Sequence, residues 1–136
     1  MRQALRGLRV RDVVVRDPVT TRPDVTLGEF MDDIAWTTRH ATYPVTDNGR
    51  VVGLLPLRCV AEVPRSEWER RTVRECMLPR EQVPVVREED DLFDAAAEIS
   101  DGDLSRALVL DGERFVGLLS WSDVRRALEL RRAWRR

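Results

Sequence analysis

Arg114-Phe115-Val116-Gly117-Leu118-Leu119-Ser120-Trp121-Ser122-Asp123-Val124 repeats, 64 positions on, the run Arg50-Val51-Val52-Gly53-Leu54-Leu55-Pro56-Leu57-Arg58-Cys59-Val60. Each copy is an apolar run short enough for one buried strand, preceded by a tight polar turn (Asp47-Asn48-Gly49; Asp111-Gly112) and followed by a helix-like pattern. The two runs align without a gap, so the chain reads as one unit written twice.

Working outward from the first copy, Ala41 to Thr46 reads as a strand, with Val51 to Leu55 as its hairpin partner across Asn48-Gly49, a pair suited to positive φ. Upstream, Thr26 and Glu29 form a capping box that opens a helix with Leu27, Phe30, Met31, Ile34 and Ala35 on its apolar face; Thr37 to His40 is the exit loop. Before it, Val10 to Val13 leads to Asp17-Pro18-Val19-Thr20, where proline favours extended geometry and a short strand is expected to follow. Leu57, Val60 and Ala61 suit a helix that stops before Pro64, and Pro64 to Arg71 reads as a linking turn or short helix whose Trp68 is expected where the halves meet.

Around the second copy the same signals recur. Thr72 and Glu75 form a second capping box, Val83 to Val86 is a strand, and Leu92 to about Ile99 a helix closed by Asp101-Gly102-Asp103. The run Glu88-Glu89-Asp90-Asp91 could ligate a metal, but acidic residues ahead of a helix are more simply explained by its dipole. Ala107 to Leu110 and Phe115 to Leu119 form the hairpin, and Val124, Leu128 and Leu130 line the last helix. The order in each half is β-α-β-β-α.

With 136 residues, the chain suits one compact module built of two half-size repeats better than two independent domains. No apolar run approaches the roughly 20 residues that a membrane span needs, so a soluble piece is expected. A formal net charge of −1 argues against nucleic acid as a partner. Every basic residue is Arg. Cys59 and Cys76 lack the paired spacing of a metal site or a disulfide framework, which points to a reduced, cytoplasmic setting. The first residues carry Arg2, Arg6, Arg9 and Arg11 among apolar neighbours, a short helix with a basic face or a segment beside a membrane.

With its β-α-β-β-α order, the repeat resembles the CBS domain, named for cystathionine beta-synthase, in a tandem pair often called a Bateman module. The resemblance implies an α+β fold class, with a first repeat at 10–63, a linker at 64–72 and a second repeat at 73–130. It also implies packing about a pseudo-twofold axis, clefts that commonly take adenosyl ligands, and a homodimer. Arg39-His40-Ala41-Thr42-Tyr43-Pro44-Val45, Val63-Pro64-Arg65-Ser66-Glu67-Trp68 and Arg106-Ala107-Leu108-Val109-Leu110 are similar to the CBS pair on the cytosolic tail of site-2-protease-type intramembrane zinc metalloproteases. The protease chemistry is not on this chain: there is no His-Glu-x-x-His, and His40 is the sole histidine. The resemblance therefore implies a non-catalytic regulatory piece, cytoplasmic or the cytosolic part of a membrane protein, with a fused or partner protease as its effector.

In that family a glycine, two apolar residues, Ser or Thr, and an Asp three residues later bind ribose and phosphate. Gly117-Leu118-Leu119-Ser120-Trp121-Ser122-Asp123 has the pattern, which marks Ser120 and Asp123 as ligand-binding; Gly53-Leu54-Leu55-Pro56-Leu57-Arg58-Cys59 lacks both hydroxyl and carboxylate. The family's apolar-proline pair near adenine survives as Tyr43-Pro44 in the first half, where the second has Ala107-Leu108. Val83, Pro84 and Val85 are base-pocket candidates by position, and as readily core strand. The implied ligands are AMP, ADP, ATP or S-adenosylmethionine, with no required cofactor. Ser120 and Asp123 also form an S-x-x-D cap that would open the helix with no ligand present. The alternative function is accordingly a ligand-free dimerisation or docking domain. His40, without a partner in the sequence, reads as a surface loop residue, Cys59 as a small filler, and Arg131, Arg132, Trp134, Arg135 and Arg136 as complementing the last helix's negative end or touching phosphate or lipid.

Overall fold

The structure, a computed structural model, describes residues 2–100 and 104–134. The expected helix stop at Asp101-Gly102-Asp103 and the terminal Arg135 and Arg136 lie outside the described residues. The chain divides into two compact units, Pro18–Val83 and a second one made of Met1–Asp17 with Pro84–Arg136.

In the unit Pro18–Val83, helix α1 (27–38) opens as the capping box predicts. The Thr26 hydroxyl accepts from the Glu29 amide at 3.0 Å, and the Glu29 carboxylate accepts from the Thr26 amide at 3.4 Å. Leu27, Phe30 and Ala35 are buried; the middle of the helix, Met31–Ala35, widens into a π-helical turn. It runs two residues into the expected exit loop, through Thr38, whose hydroxyl donates to the Ile34 carbonyl at 2.8 Å, and stops at Arg39 with φ 56°. Strands β2 (Thr42–Asp47) and β3 (Arg50–Pro56) form the hairpin, paired from Thr42 with Pro56 to Asp47 with Arg50. Its turn places Asn48 and Gly49 at φ 51° and 81°, both left-handed, the geometry that matches strand twist. Helix α2 (Leu57–Ala61) follows, then a 3-10 turn at Arg65–Glu67. Trp68 packs against this unit's own core and donates its indole N–H to the Val63 carbonyl at 2.9 Å. Helix α3 (Val73–Cys76) carries the second capping box, and β4 (Leu78–Pro79) joins β3 by pairing Leu54 with Leu78. The sheet order is β2-β3-β4 over a core of Leu27, Phe30, Tyr43, Val45, Leu55, Val60 and Val73.

In the other unit, a 3-10 turn at Val10–Asp12 leads to β1 (Val15–Arg16), ahead of Asp17-Pro18 rather than after it, and Asp17 turns the chain at φ 48°. Strand β5 (Val85–Arg87) starts two residues later than the alternation suggests, and helix α4 (Leu92–Ser100) packs behind it. Strands β6 (Arg106–Asp111) and β7 (Arg114–Ser120) form the second hairpin, and helix α5 (Trp121–Trp134) closes the unit. The sheet order is β1-β7-β6-β5, with β5 parallel to β6. Its core holds Leu5, Val10, Val86, Leu92, Ala96, Ile99, Val109, Leu119 and Val124. Each fully buried Leu or Val there contributes roughly 1.5–3 kcal/mol.

The first strand of each sequence repeat belongs to the other repeat's sheet. β1 pairs antiparallel with β7, and β4 with β3. The repeated glycines stand where those strands cross: Gly117 is opposite Arg16, and Gly53 opposite Pro79.

Candidate functional site

β7 ends at Ser120, where the chain turns into the 14-residue helix α5. The Trp121 amide is held by the Ser105 carbonyl at 2.9 Å, which ties the helix start to the residue before β6. Ser120 Oγ donates to Asp123 Oδ2 at 2.7 Å, accepts from the Asp123 amide at 3.2 Å and lies 3.0 Å from Ser122 Oγ. The other carboxylate oxygen, Asp123 Oδ1, accepts from Arg126 Nη1 at 3.2 Å. Asp123 retains only 20% of its side-chain exposure against 69% for Arg126, so the carboxylate sits in a recess with the guanidinium laid over it from solvent.

The register sets what stands beside this pair. Ser120 is opposite Arg106, Leu119 opposite Ala107 and Leu118 opposite Leu108; Leu108 is in turn level with Val85, and its amide donates to the Pro84 carbonyl at 2.9 Å. The starts of β5 and β6 and the end of β7 thus lie at one end of the sheet. Pro84, Val85, Ala107, Leu108, Ser120 and Asp123 share this unit, whereas Val83, 5% exposed, belongs to the other. Ala107 and Leu108 are fully buried and, as neighbours on a strand, point to opposite faces of the sheet, Ala107 into this unit's core. Pro84 and Val85 are half-buried.

Chemically, the corner offers a hydroxyl, a carboxylate and the amide end of a long helix, a set that suits a sugar diol and an anionic group together. The corresponding corner of the other unit has Pro56 before α2 with no side-chain cap, and a half-buried Cys59 in place of the carboxylate. Arg126 as a partner of Asp123 was missed by sequence reasoning, although the Asp-x-x-Arg spacing on a helix is a signal that could have found it.

The remaining candidates resolve locally. His40 is exposed and its backbone amide donates to the Tyr43 hydroxyl at 2.8 Å. In the acidic run, Asp90 accepts from the Arg87 amide at 2.8 Å and Asp91 from the Asp94 amide at 3.1 Å, so these carboxylates cap turns. They line a cleft of about 230 Å³ with Asp94 and Glu98. No group of three or more metal-ligating side chains is arranged around an ion among the described residues. Burial pushes the Cys76 thiol above its ordinary pKa of 9.0, with Cys59 and Glu62 adding to the rise and Arg71 opposing it. No helix among the described residues is long and apolar enough to cross a membrane.

The CBS domain profile matches residues 10–65 and again 73–130. The chain is 32% identical over 132 residues to the protein named zinc metalloprotease Rip3 of Mycobacterium tuberculosis, covering 96% of this chain and 34% of that protein. It is 27% identical to zinc metalloprotease MJ0392 of Methanocaldococcus jannaschii, covering 92% and 33%. The chain thus spans about a third of the length of these relatives. Among solved structures, the CBS domain of a bacterial CNNM/CorC family Mg2+ transporter in complex with ATP superposes with a TM-score of 0.84 at 20% identity, covering 93% of this chain and 91% of that one. CBSX2 in complex with AMP superposes at 0.77 and 21%, covering 91% and 98%.

Proposed function

Since this chain belongs to the CBS domain family in both of its halves, we propose that it is a non-catalytic regulatory module that takes an adenosyl nucleotide at the Ser120–Asp123 corner. In this reading Asp123 accepts hydrogen bonds from the ribose hydroxyls, while Ser120 and the start of α5 hold the phosphate. The Pro84–Val85 and Ala107–Leu108 backbone would border the base. The observation that carries it is the recessed Ser120–Asp123 pair at a helix start beside the open end of three strands. Two fold neighbours hold ATP or AMP, which supports the ligand class. The effector we propose is a membrane-embedded zinc metalloprotease carrying or binding this module, since the relatives it matches are named zinc metalloproteases three times its length. Nucleotide would bias such an effector only by binding two conformations of the module with different affinity.

A second reading, a ligand-free dimerisation or docking domain, is favoured by one feature. Both oxygens of Asp123 are already satisfied, by Ser120 and by Arg126, so the corner is complete as a helix cap. A thermal shift series with AMP, ADP, ATP and S-adenosylmethionine, repeated on Asp123→Ala, separates the two. At about 100 times its Kd a ligand adds roughly 2.7 kcal/mol, several degrees of midpoint, and Asp123→Ala should abolish the rise. No rise with any of the four would leave the docking reading.

A further inference from the structure

The two basic ends of the sequence meet in the fold. Arg131 Nη1, in the last turn of α5, donates to the Arg6 carbonyl at 3.2 Å across 125 residues of sequence. The N-terminal turn is anchored there by fully buried Leu5 and by Arg2, whose guanidinium lies 4.4 Å over the Phe93 ring of α4. Beside this joint, α5 leaves Leu130 67% and Trp134 88% exposed. At four residues apart they stand on one face of the helix, about 80–120° around it from the buried Val124. Arg126 and Arg131 flank that stripe, and the exposed Arg2 and Arg6 stand on the N-terminal turn that Arg131 grips. The nearby carboxylate Glu129 is about 140° around the helix from Trp134 and about 100° from Leu130, on the side away from Arg131.

We propose that this apolar stripe with its guanidinium rim is a docking surface for an anionic lipid bilayer, with Trp134 and Leu130 entering the headgroup layer and Arg2, Arg6 and Arg131 facing lipid phosphates. Indole rings settle at that depth, and each Arg near an anionic surface adds to binding. The charge pattern selects this occupant over a second copy of the same face, because two such rims would repel. Leu130 gives a base neither a stacking face nor a hydrogen bond, so the stripe suits acyl and headgroup contact better than nucleic acid.

The test is co-sedimentation of the full chain with phosphatidylserine–phosphatidylcholine vesicles, with phosphatidylcholine vesicles and a single-stranded oligonucleotide as comparisons. We expect binding to the anionic vesicles alone, lost in high salt, and a blue shift of tryptophan emission that Trp134→Phe removes or diminishes. Arg131→Gln should weaken binding by about fivefold, and Arg2→Gln with Arg6→Gln, which leaves α5 untouched, by about tenfold or more. Equal binding to neutral vesicles, none to either, or indifference to the Arg2 and Arg6 changes overturns the proposal. So does self-association that Trp134→Ser abolishes, or oligonucleotide binding of equal strength.

Discussion

Replacing Gly117 by alanine should unclamp β1 from β7. A Cβ at Gly117 would sit on the Val15 carbonyl oxygen, 2.9 Å from its carbon and 3.1 Å from a Val14 methyl. Relief requires β1 to move away by about an ångström, because the obstacle is backbone and not the tip of a side chain. That movement strains or breaks the pairing of Val15 with Leu118 and Arg16 with Gly117. Hydrogen bonds at about 1 kcal/mol each and overpacking at about 1–3 kcal/mol give a loss of roughly 2–4 kcal/mol. In a chain of this size that lowers the thermal midpoint by roughly 10 °C. Gly53→Ala should behave alike, its Cβ meeting the Leu78 carbonyl oxygen at 2.5 Å and Met77 Sδ at 2.7 Å. Gly28→Ala is the control: its Cβ meets only the carboxylate tip of Glu69, which can swing aside, while alanine favours the helix. The assay is calorimetry or circular dichroism melting of the three variants. A Gly117→Ala midpoint within about 2 °C of the parent would refute the crossing of β1 over that glycine.

Two further outcomes follow from buried polar groups. Tyr43→Phe should cost about 1–3 kcal/mol in denaturant unfolding, since the fully buried Tyr43 hydroxyl accepts from the His40 amide at 2.8 Å and bonds Thr38 Oγ1 at 2.8 Å; the amide would lose this partner and Thr38 would keep only the Ile34 carbonyl. The raised pKa of Cys76 means that its contribution is complete below pH 9.0, where the thiol is neutral folded or unfolded, and is lost as pH climbs through the folded value. The midpoint should therefore fall on the alkaline side of pH 9.0, and Cys76→Ala should flatten that decline.

Much of this fold was legible because its signals are local. The Asn48-Gly49 turn, the Thr26–Glu29 and Thr72–Glu75 boxes and the strand-length apolar runs each act within a few residues. The strand at Val15–Arg16 was misplaced because two residues have no periodicity, and their conformation is set by partners about 100 positions away. The late start of β5 has the same cause, its register being fixed by Leu108 to Leu110. The π-helical turn at Met31–Ala35 likewise leaves the apolar spacing intact and so no mark in the pattern. At the candidate site, the Ser120–Asp123 spacing was readable, whereas the grip of Arg126 on Asp123 depends on which rotamers the helix start selects.

The reciprocal loan of β1 and β4 has a consequence for how such a chain can change. A single repeat could complete its sheet in this way only by lending its leading strand to a second copy and receiving one back. In this chain the loan is internal, and neither copy can be deleted without stripping the survivor of an edge. That mutual dependence leaves the copies free to differ in their corners, as Pro56 and Cys59 differ from Ser120 and Asp123, while each still needs the other.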